Sequence, residues 1–300
     1  MIAPASPFDT ESFDRGLAVL RDGLGLRPRF RADIAARERY LAGSDARRAA
    51  EWLEAVADPA ASAIFCARGG YGAMRILPAI DPRPLLDRPK LFVGFSDDVA
   101  IHAALNRAGL VTVHGPVVTQ LGRLPPDALE HLRALLFGEA PAPSADREPA
   151  PGAGLVGTET LRPGRATGPL LGGTLAILSH LAGTPWFPPL DGAILFIEDV
   201  GEKPYRIDRY LTQLRLAGLL DRVAGVVVGQ LRGCDDGDVR AIDVVREAVL
   251  DLGVPAIAGV EAGHEDRNLA LPLGARATLV APAPGDGGLP RLLFDEGATA

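Results

Sequence analysis

The sequence predicts an α/β protein: a doubly wound, mostly parallel sheet in the first part of the chain, then a second, smaller, strand-rich unit. Three observations carry this. Short apolar runs alternate with amphipathic helical patterns through about the first 120 residues, the arrangement of parallel strands joined by crossover helices. Each run ends in a turn of glycine or polar residues, where open parallel sheets present their ligand-facing loops. Prolines and glycines then crowd residues 121–169 before strand-like runs return.

Taken in order, residues 10–24 set Phe13, Leu17 and Leu20 at helical spacing, and residues 46–57 repeat this with Ala49, Trp52, Leu53 and Val56. Ala63-Ile64-Phe65-Cys66-Ala67 has the length of a buried strand and stops at Arg68-Gly69-Gly70-Tyr71-Gly72. Leu91-Phe92-Val93-Gly94-Phe95 follows, ending at Ser96-Asp97-Asp98, from which a helix is expected through Asn106. Leu110-Val111-Thr112-Val113 ends at His114-Gly115-Pro116. Beyond the proline-rich stretch, strands are expected at 193–198, 224–231, 275–281 and 291–294, and helices at 204–218 and 239–251. The boundaries that follow are 1–125 for an N-terminal α/β domain, 126–169 for a Pro/Gly-rich linker and 170–300 for a C-terminal α+β domain.

Composition narrows the function. Three hundred residues, 47% hydrophobic and 23% charged, are enough to bury a core without metal or disulfide staples. The 31 Lys and Arg residues against 38 Asp and Glu leave a net charge of −7, with the arginines scattered among acids, which excludes a nucleic-acid track. Cys66 and Cys234 have no CxxC pairing and no third ligand nearby, so a disulfide scaffold and a zinc site are excluded and no metal or cofactor is expected. The N-terminus lacks a basic and then apolar leader, and no apolar stretch approaches about 18 residues. A soluble cytoplasmic protein with no membrane partner is the expectation.

The strongest local chemistry lies in Val93-Gly94-Phe95-Ser96-Asp97-Asp98. A serine between a buried strand and a helix is the setting of a nucleophile elbow, where the tight turn lifts Oγ clear of the sheet. The next N–H, that of Asp97, lies at a helix start and can stabilise an oxyanion. Ser96 or Asp97 can equally be a helix cap, and Asp98 stands where G-x-S-x-G has its second glycine. The loop at 68–72 is no dinucleotide fingerprint, because the third glycine position holds Arg75. Its backbone can instead approach a ligand or supply an oxyanion N–H, or form an ordinary turn. Of five histidines, His102, His131 and His180 fall in helical contexts, whereas His114 and His264 follow strands and are equal candidates for a base. Glu198 belongs to an acid pair ending the apolar run Leu195-Phe196-Ile197, either a functional carboxylate or a solvated strand end.

Six segments in register give a stronger signal: AGSDARRAAEWLEAVADPAASAIFCARGGYGAMRILPAID, GFSDD, HGP, GPLLGGTLAIL, LFIEDVGEKPYRIDRYLTQL and GHEDRNLALPLG, spanning roughly residues 41–274. In these the chain resembles the serine LD-carboxypeptidases, also called muramoyltetrapeptide carboxypeptidases. The resemblance implies a two-domain hydrolase with a flavodoxin- or Rossmann-like first domain, acting as a homodimer without a cofactor. It implies a Ser-His-Glu triad, with Ser96 as nucleophile, His264 as base and Glu198 as orienting acid. The oxyanion donors would be the backbone N–H groups of Gly70 and Asp97. The implied substrate is the muropeptide tetrapeptide of peptidoglycan recycling, cut before its terminal D-alanine. That product's carboxylate needs a partner; Arg68 and Arg206 are the candidates, since arginine offers a bidentate fork. One departure is at the start, where only Met1 and Ile2 precede the Ala3-Pro4-Ala5-Ser6-Pro7 motif, so either the first strand is shortened or the start assigned to the sequence is late. Microcin-C-type aminoacyl-nucleotide immunity peptidases would share this architecture and triad, and a catalytically silent muropeptide-binding module is a further alternative. The stretch EDVGEKPYRIDR favours the muropeptide branch, and retention of all three triad positions favours an enzyme.

Overall fold

The computed structural model describes residues 1–139, 149–150 and 152–295. Residues 140–148 and Pro151, part of the expected linker, lie outside the described residues. Twelve strands are present among the described residues: β1 (Ala63–Phe65), β2 (Leu91–Gly94), β3 (Thr112–His114), β4 (Gly154–Val156), β5 (Glu159–Arg162), β6 (Gly164–Thr174), β7 (Ile194–Val200), β8 (Gly225–Arg232), β9 (Ala256–Ala258), β10 (Leu271–Leu273), β11 (Arg276–Ala281) and β12 (Arg291–Phe294). They form a four-stranded sheet in the order β1-β2-β3-β10 and an eight-stranded sheet in the order β4-β12-β11-β6-β7-β8-β9-β5.

Strands β1, β2 and β3 are parallel, as the alternating pattern predicts, and β10 closes that sheet antiparallel to β3. The run β6-β7-β8-β9 is parallel too, and antiparallel strands flank it on both sides. Ile2 makes a single parallel bridge to Cys66, the residue after β1.

Parallel strands covered on both faces are apolar at every position, with neighbours pointing to opposite sides. Phe92, Leu195, Ile197, Val226 and Val228 enter one core, and Val93, Ile194, Phe196 and Val227 enter the other. Both cores draw on both halves of the chain. The first also takes Trp52 and Ile101 with Leu171 and Leu175, and the second takes Phe13 and Leu17 with Leu279 and Leu292. The sheets are therefore packed into shared cores.

Local signals explain the helices. Asp9 accepts from Ser12 N–H at the start of helix Thr10–Ala18, and Ser44 accepts from Arg47 N–H at the start of helix Asp45–Ala57. Within 126–169 the prolines suggest a loop-rich connection, but regular structure occurs there. Helix Pro126–Phe137 carries its proline in the first turn, where a missing N–H costs nothing, and buries Ala128, Leu132, Leu135 and Leu136. Strands β4 and β5 and the first part of β6 also fall in this segment. No helix among the described residues is long and apolar enough to cross a membrane, and no cluster of metal-ligating side chains occurs among them.

Candidate active site

The turn after β2 is held in a conformation that only a few residues adopt. Ser96 has φ +63°; among the described residues the only other non-glycine with positive φ is Arg39. A left-handed non-glycine residue costs roughly 1–3 kcal/mol, so its surroundings must impose it. Asp98, fully buried, accepts from Phe95 N–H at 3.3 Å, and the chain passes through the short helical turn Ser96–Asp98 into helix Val99–Arg107. Neither Ser96 nor Asp97 caps that helix with its side chain. The turn is an elbow, and capping, left open by the sequence, is not the serine's role.

Three side chains from distant parts of the chain meet there. Ser96 Oγ lies 3.0 Å from His264 Nε2, and His264 Nδ1 lies 2.6 Å from Glu198 Oε2. The carboxylate fixes the proton on Nδ1, leaving Nε2 as the acceptor for the serine hydroxyl. Glu198 is fully buried at the end of β7, and its other oxygen accepts from Thr174 Oγ1 at 2.5 Å. Thr174 sits opposite Glu198 in the parallel register of β6 and β7. The chain Ser96–His264–Glu198–Thr174 thus ends in a donor that holds the carboxylate in one orientation.

The loop carrying His264 is pinned from several sides. Gly263 N–H donates to Asn268 Oδ1 at 3.0 Å, Gln230 bridges Glu265 N–H and Arg267 C=O, and Arg232 donates to His264 C=O at 2.7 Å. Gly263 has φ +144°, and a Cβ there would come within 3.1 Å of Glu198 Oε2, so no side chain fits between histidine loop and acid. Gln230 lies in β8 where its register against β7 shifts between Ile197 and Asp199, next to Glu198. Such irregularities re-aim side chains beside functional sites.

His114, the equal candidate on sequence alone, takes no part. It is fully buried against Phe95 and Phe196, and neither ring nitrogen has a hydrogen-bond partner. Burial, with His102 and His264 nearby, holds it far below the usual imidazole range and hence neutral. His102 ties Thr112 Oγ1 to Gly94 C=O, and His131 ties Gly152 N–H to Ala270 C=O; His180 is exposed.

Asp199, next to Glu198, faces elsewhere. Its oxygens accept from Ala176 N–H and Val200 N–H, both at 2.8 Å, and burial raises its pKa to about 7. Successive strand residues point to opposite faces, so only one acid of the pair can reach the histidine.

The glycine loop after β1 lies against the elbow. A Cβ on Gly69 would sit 2.7 Å from Phe95 C=O and 3.3 Å from Asp97 N, a closeness only glycine permits. Gly70 is exposed with φ +108°, and its N–H has no acceptor among the described residues. Arg68 is exposed and gives one nitrogen to Pro7 C=O at 2.8 Å. Arg206, in helix Pro204–Leu216, lies over Tyr205 and pairs at 3.4 Å with Glu202, which precedes the helix.

Thr174, Gln230 and Asn268 are the participants that sequence reasoning missed. Thr174 was detectable in one respect: it ends the Gly172-Gly173-Thr174 run of a strand whose neighbour ends in the acid pair.

The arrangement can take a proton from a serine hydroxyl, hold the resulting imidazolium against a buried carboxylate, and offer backbone N–H groups near that serine. The LD-carboxypeptidase N-terminal domain model matches residues 1–115 and the LD-carboxypeptidase C-terminal domain model residues 167–279. The murein tetrapeptide carboxypeptidase of Pseudomonas aeruginosa is 33% identical, with 93% of this chain and 92% of that protein covered. The crystal structure of muramoyltetrapeptide carboxypeptidase from Oxalobacter formigenes superposes with a TM-score of 0.83 at 29% identity, covering 99% of both chains. The Microcin C7 self-immunity protein of Escherichia coli is 27% identical over 80% of this chain and 77% of its own. On its sequence and its fold together, this chain belongs to the LD-carboxypeptidase family.

Proposed function

We propose that this protein is a serine LD-carboxypeptidase that removes the terminal D-alanine from muropeptide tetrapeptides. The observation that carries the reading is the hydrogen-bonded chain from Ser96 through His264 to Glu198, built on a serine of positive φ. Ser96 Oγ attacks the carbonyl carbon of the L-centre before D-alanine while His264 Nε2 takes the hydroxyl proton. The tetrahedral oxyanion is bound by the N–H groups of Gly70 and Asp97. On collapse the C–N bond breaks, and His264 returns the proton to the leaving amine. Water then attacks the acyl-serine with His264 again as base, which releases the tripeptide acid and restores Ser96. Throughout, Glu198 keeps the imidazole in one tautomer and stabilises its cationic form.

Arg68 is the better placed of the two arginines to bind the D-alanine carboxylate, because Arg206 is already paired with Glu202. The same reading implies a cytoplasmic homodimer working in peptidoglycan recycling without a cofactor; these features rest on the family resemblance. The microcin immunity relative supports a second substrate class for the same machinery, an aminoacyl nucleotide. The deciding experiment is mass spectrometry of a purified muropeptide tetrapeptide after incubation, with an aminoacyl sulfamoyl nucleotide in parallel. Loss of one D-alanine from the tetrapeptide is expected. Turnover of the nucleotide conjugate alone would move the protein to the immunity branch, and turnover of neither would overturn the hydrolase reading.

A further inference from the structure

The side chain of Asp97 is engaged away from the helix that it precedes. It is 3% exposed, and Oδ2 accepts from Ala73 N–H at 2.7 Å. Across the same peptide stands Arg48, 1% exposed on helix Asp45–Ala57. Its Nη1 donates to Gly72 C=O at 2.7 Å and to Pro4 C=O, and its Nη2 pairs with Asp45. The Gly72–Ala73 peptide is thus gripped at the Ala73 N–H by a buried carboxylate and at the Gly72 C=O by a buried guanidinium.

The other end of the loop is held by Ser6. Ser6 N–H donates to Gly69 C=O at 3.2 Å, and Ser6 Oγ accepts from Tyr71 N–H at 3.0 Å. Between these anchors Gly70 N–H points to no protein acceptor among the described residues. A buried arginine and a buried aspartate are expensive to keep unless they are hydrogen-bonded, and here each makes a bond at the end of one glycine loop, Arg48 donating to Gly72 C=O and Asp97 accepting from Ala73 N–H. Burial raises the Asp97 pKa to about 6, opposed by Ala73 N–H and by the Arg48 charge.

We infer that the Asp97 carboxylate and Arg48 are positioning groups for the oxyanion hole. Asp97 supplies one donor from its backbone and, through its side chain and Arg48, fixes the loop that supplies the other from Gly70. This inference rests on the serine-hydrolase reading above. It explains why two charges stand buried behind a glycine turn. It also makes the separation of the two N–H groups depend on one side chain, so tetrahedral binding can fail while substrate binding survives.

The test uses Asp97→Asn and Arg48→Lys in the full-length enzyme, measured with tetrapeptide substrate and with a peptidyl boronic acid, which places a tetrahedral oxygen where the oxyanion forms. Asn keeps one acceptor but loses the charge, and Lys loses the planar fork. Expected for Asp97→Asn is a kcat per active site lower by roughly 10- to 100-fold, a KM within about twofold of wild type, and a boronate Ki raised by the same factor as the fall in kcat. Arg48→Lys should shift kcat and Ki together by a smaller factor, and it decides the matter if Asp97→Asn does not fold. Folded variants that keep kcat and Ki within about twofold of wild type, or that lose KM and kcat without the boronate shift, overturn the inference. Ser96→Ala is run alongside. If it is dead while the clamp variants are normal, only the clamp is wrong; if it still turns over, the hydrolase reading itself has failed.

Discussion

Strands β2 and β7 belong to different sheets, yet each runs buried into adjacent acids, Asp97-Asp98 after one and Glu198-Asp199 at the end of the other. All four carboxylates are buried. Their partners differ. Asp97 and Asp199 accept from backbone N–H groups, and Asp98 accepts from Phe95 N–H. Glu198 instead accepts from two side chains, the Thr174 hydroxyl and the His264 ring. Backbone donors are fixed in place, so an acid spent on them sets the shape of a turn. A side-chain donor can exchange its proton with a reactant, so an acid spent on it can serve chemistry. Closeness to Ser96 does not separate these partners; Asp97 is its neighbour in sequence, and Glu198 is brought from the other sheet.

The contrast is sharpest at Glu198. Glu198→Gln keeps the shape but replaces the oxygen that accepts Nδ1–H or forces the wrong tautomer. We expect kcat to fall by roughly 10³–10⁴-fold, as with the equivalent acid of serine proteases, with circular dichroism unchanged. A fall of less than about tenfold would remove Glu198 from the catalytic chain. Thr174→Val tests whether the second oxygen needs its donor. Leaving Glu198 Oε1 unbonded costs about 1–3 kcal/mol, so kcat should drop about tenfold, and Thr174→Ser should recover most of it. Equal losses for Val and Ser would make the effect one of packing.

Asp199→Asn gives the smallest catalytic effect, within about threefold, and reads out in stability instead. Its folded pKa, raised to about 7, exceeds the ordinary value of 3.8. Between these values the folded state holds a proton that the unfolded state has lost, so the wild type gains stability from Asp199 as pH falls from 7 towards 4. The gain has a slope of at most about 1.4 kcal/mol per pH unit. The asparagine variant cannot titrate, so the Tm difference, wild type minus variant, should grow as pH is lowered from 7 to 5. A flat difference, or one that shrinks, would show that Asp199 is ionised in the folded state and would weaken its contrast with Glu198.

What could be read from the sequence divides along the same line. Strands β2, β7, β8, β11 and β12 fall close to their expected positions, because apolar runs bounded by turn residues encode buried strands locally. Helix Pro126–Phe137 did not, since prolines at 125 and 126 signal a loop unless the first-turn position is recognised. The choice of His264 over His114 was not legible in the residues alone. Both follow strands, and the decision is made by contacts spanning 66 and 168 residues. The family resemblance supplied it. Likewise the positive φ of Ser96 is imposed by the buried Asp98 and the chain around it, while Arg48 looks in the sequence like one more surface arginine of an amphipathic helix.

The central claim, that Ser96 is the nucleophile activated by His264 and Glu198, is tested most directly by fluorophosphonate labelling followed by peptide mapping of the wild type and of His264→Ala. A phosphonyl adduct on Ser96 in the wild type, with labelling slowed by orders of magnitude in His264→Ala, is the expected result. An adduct on another residue, or undiminished labelling of Ser96 without His264, would contradict the account.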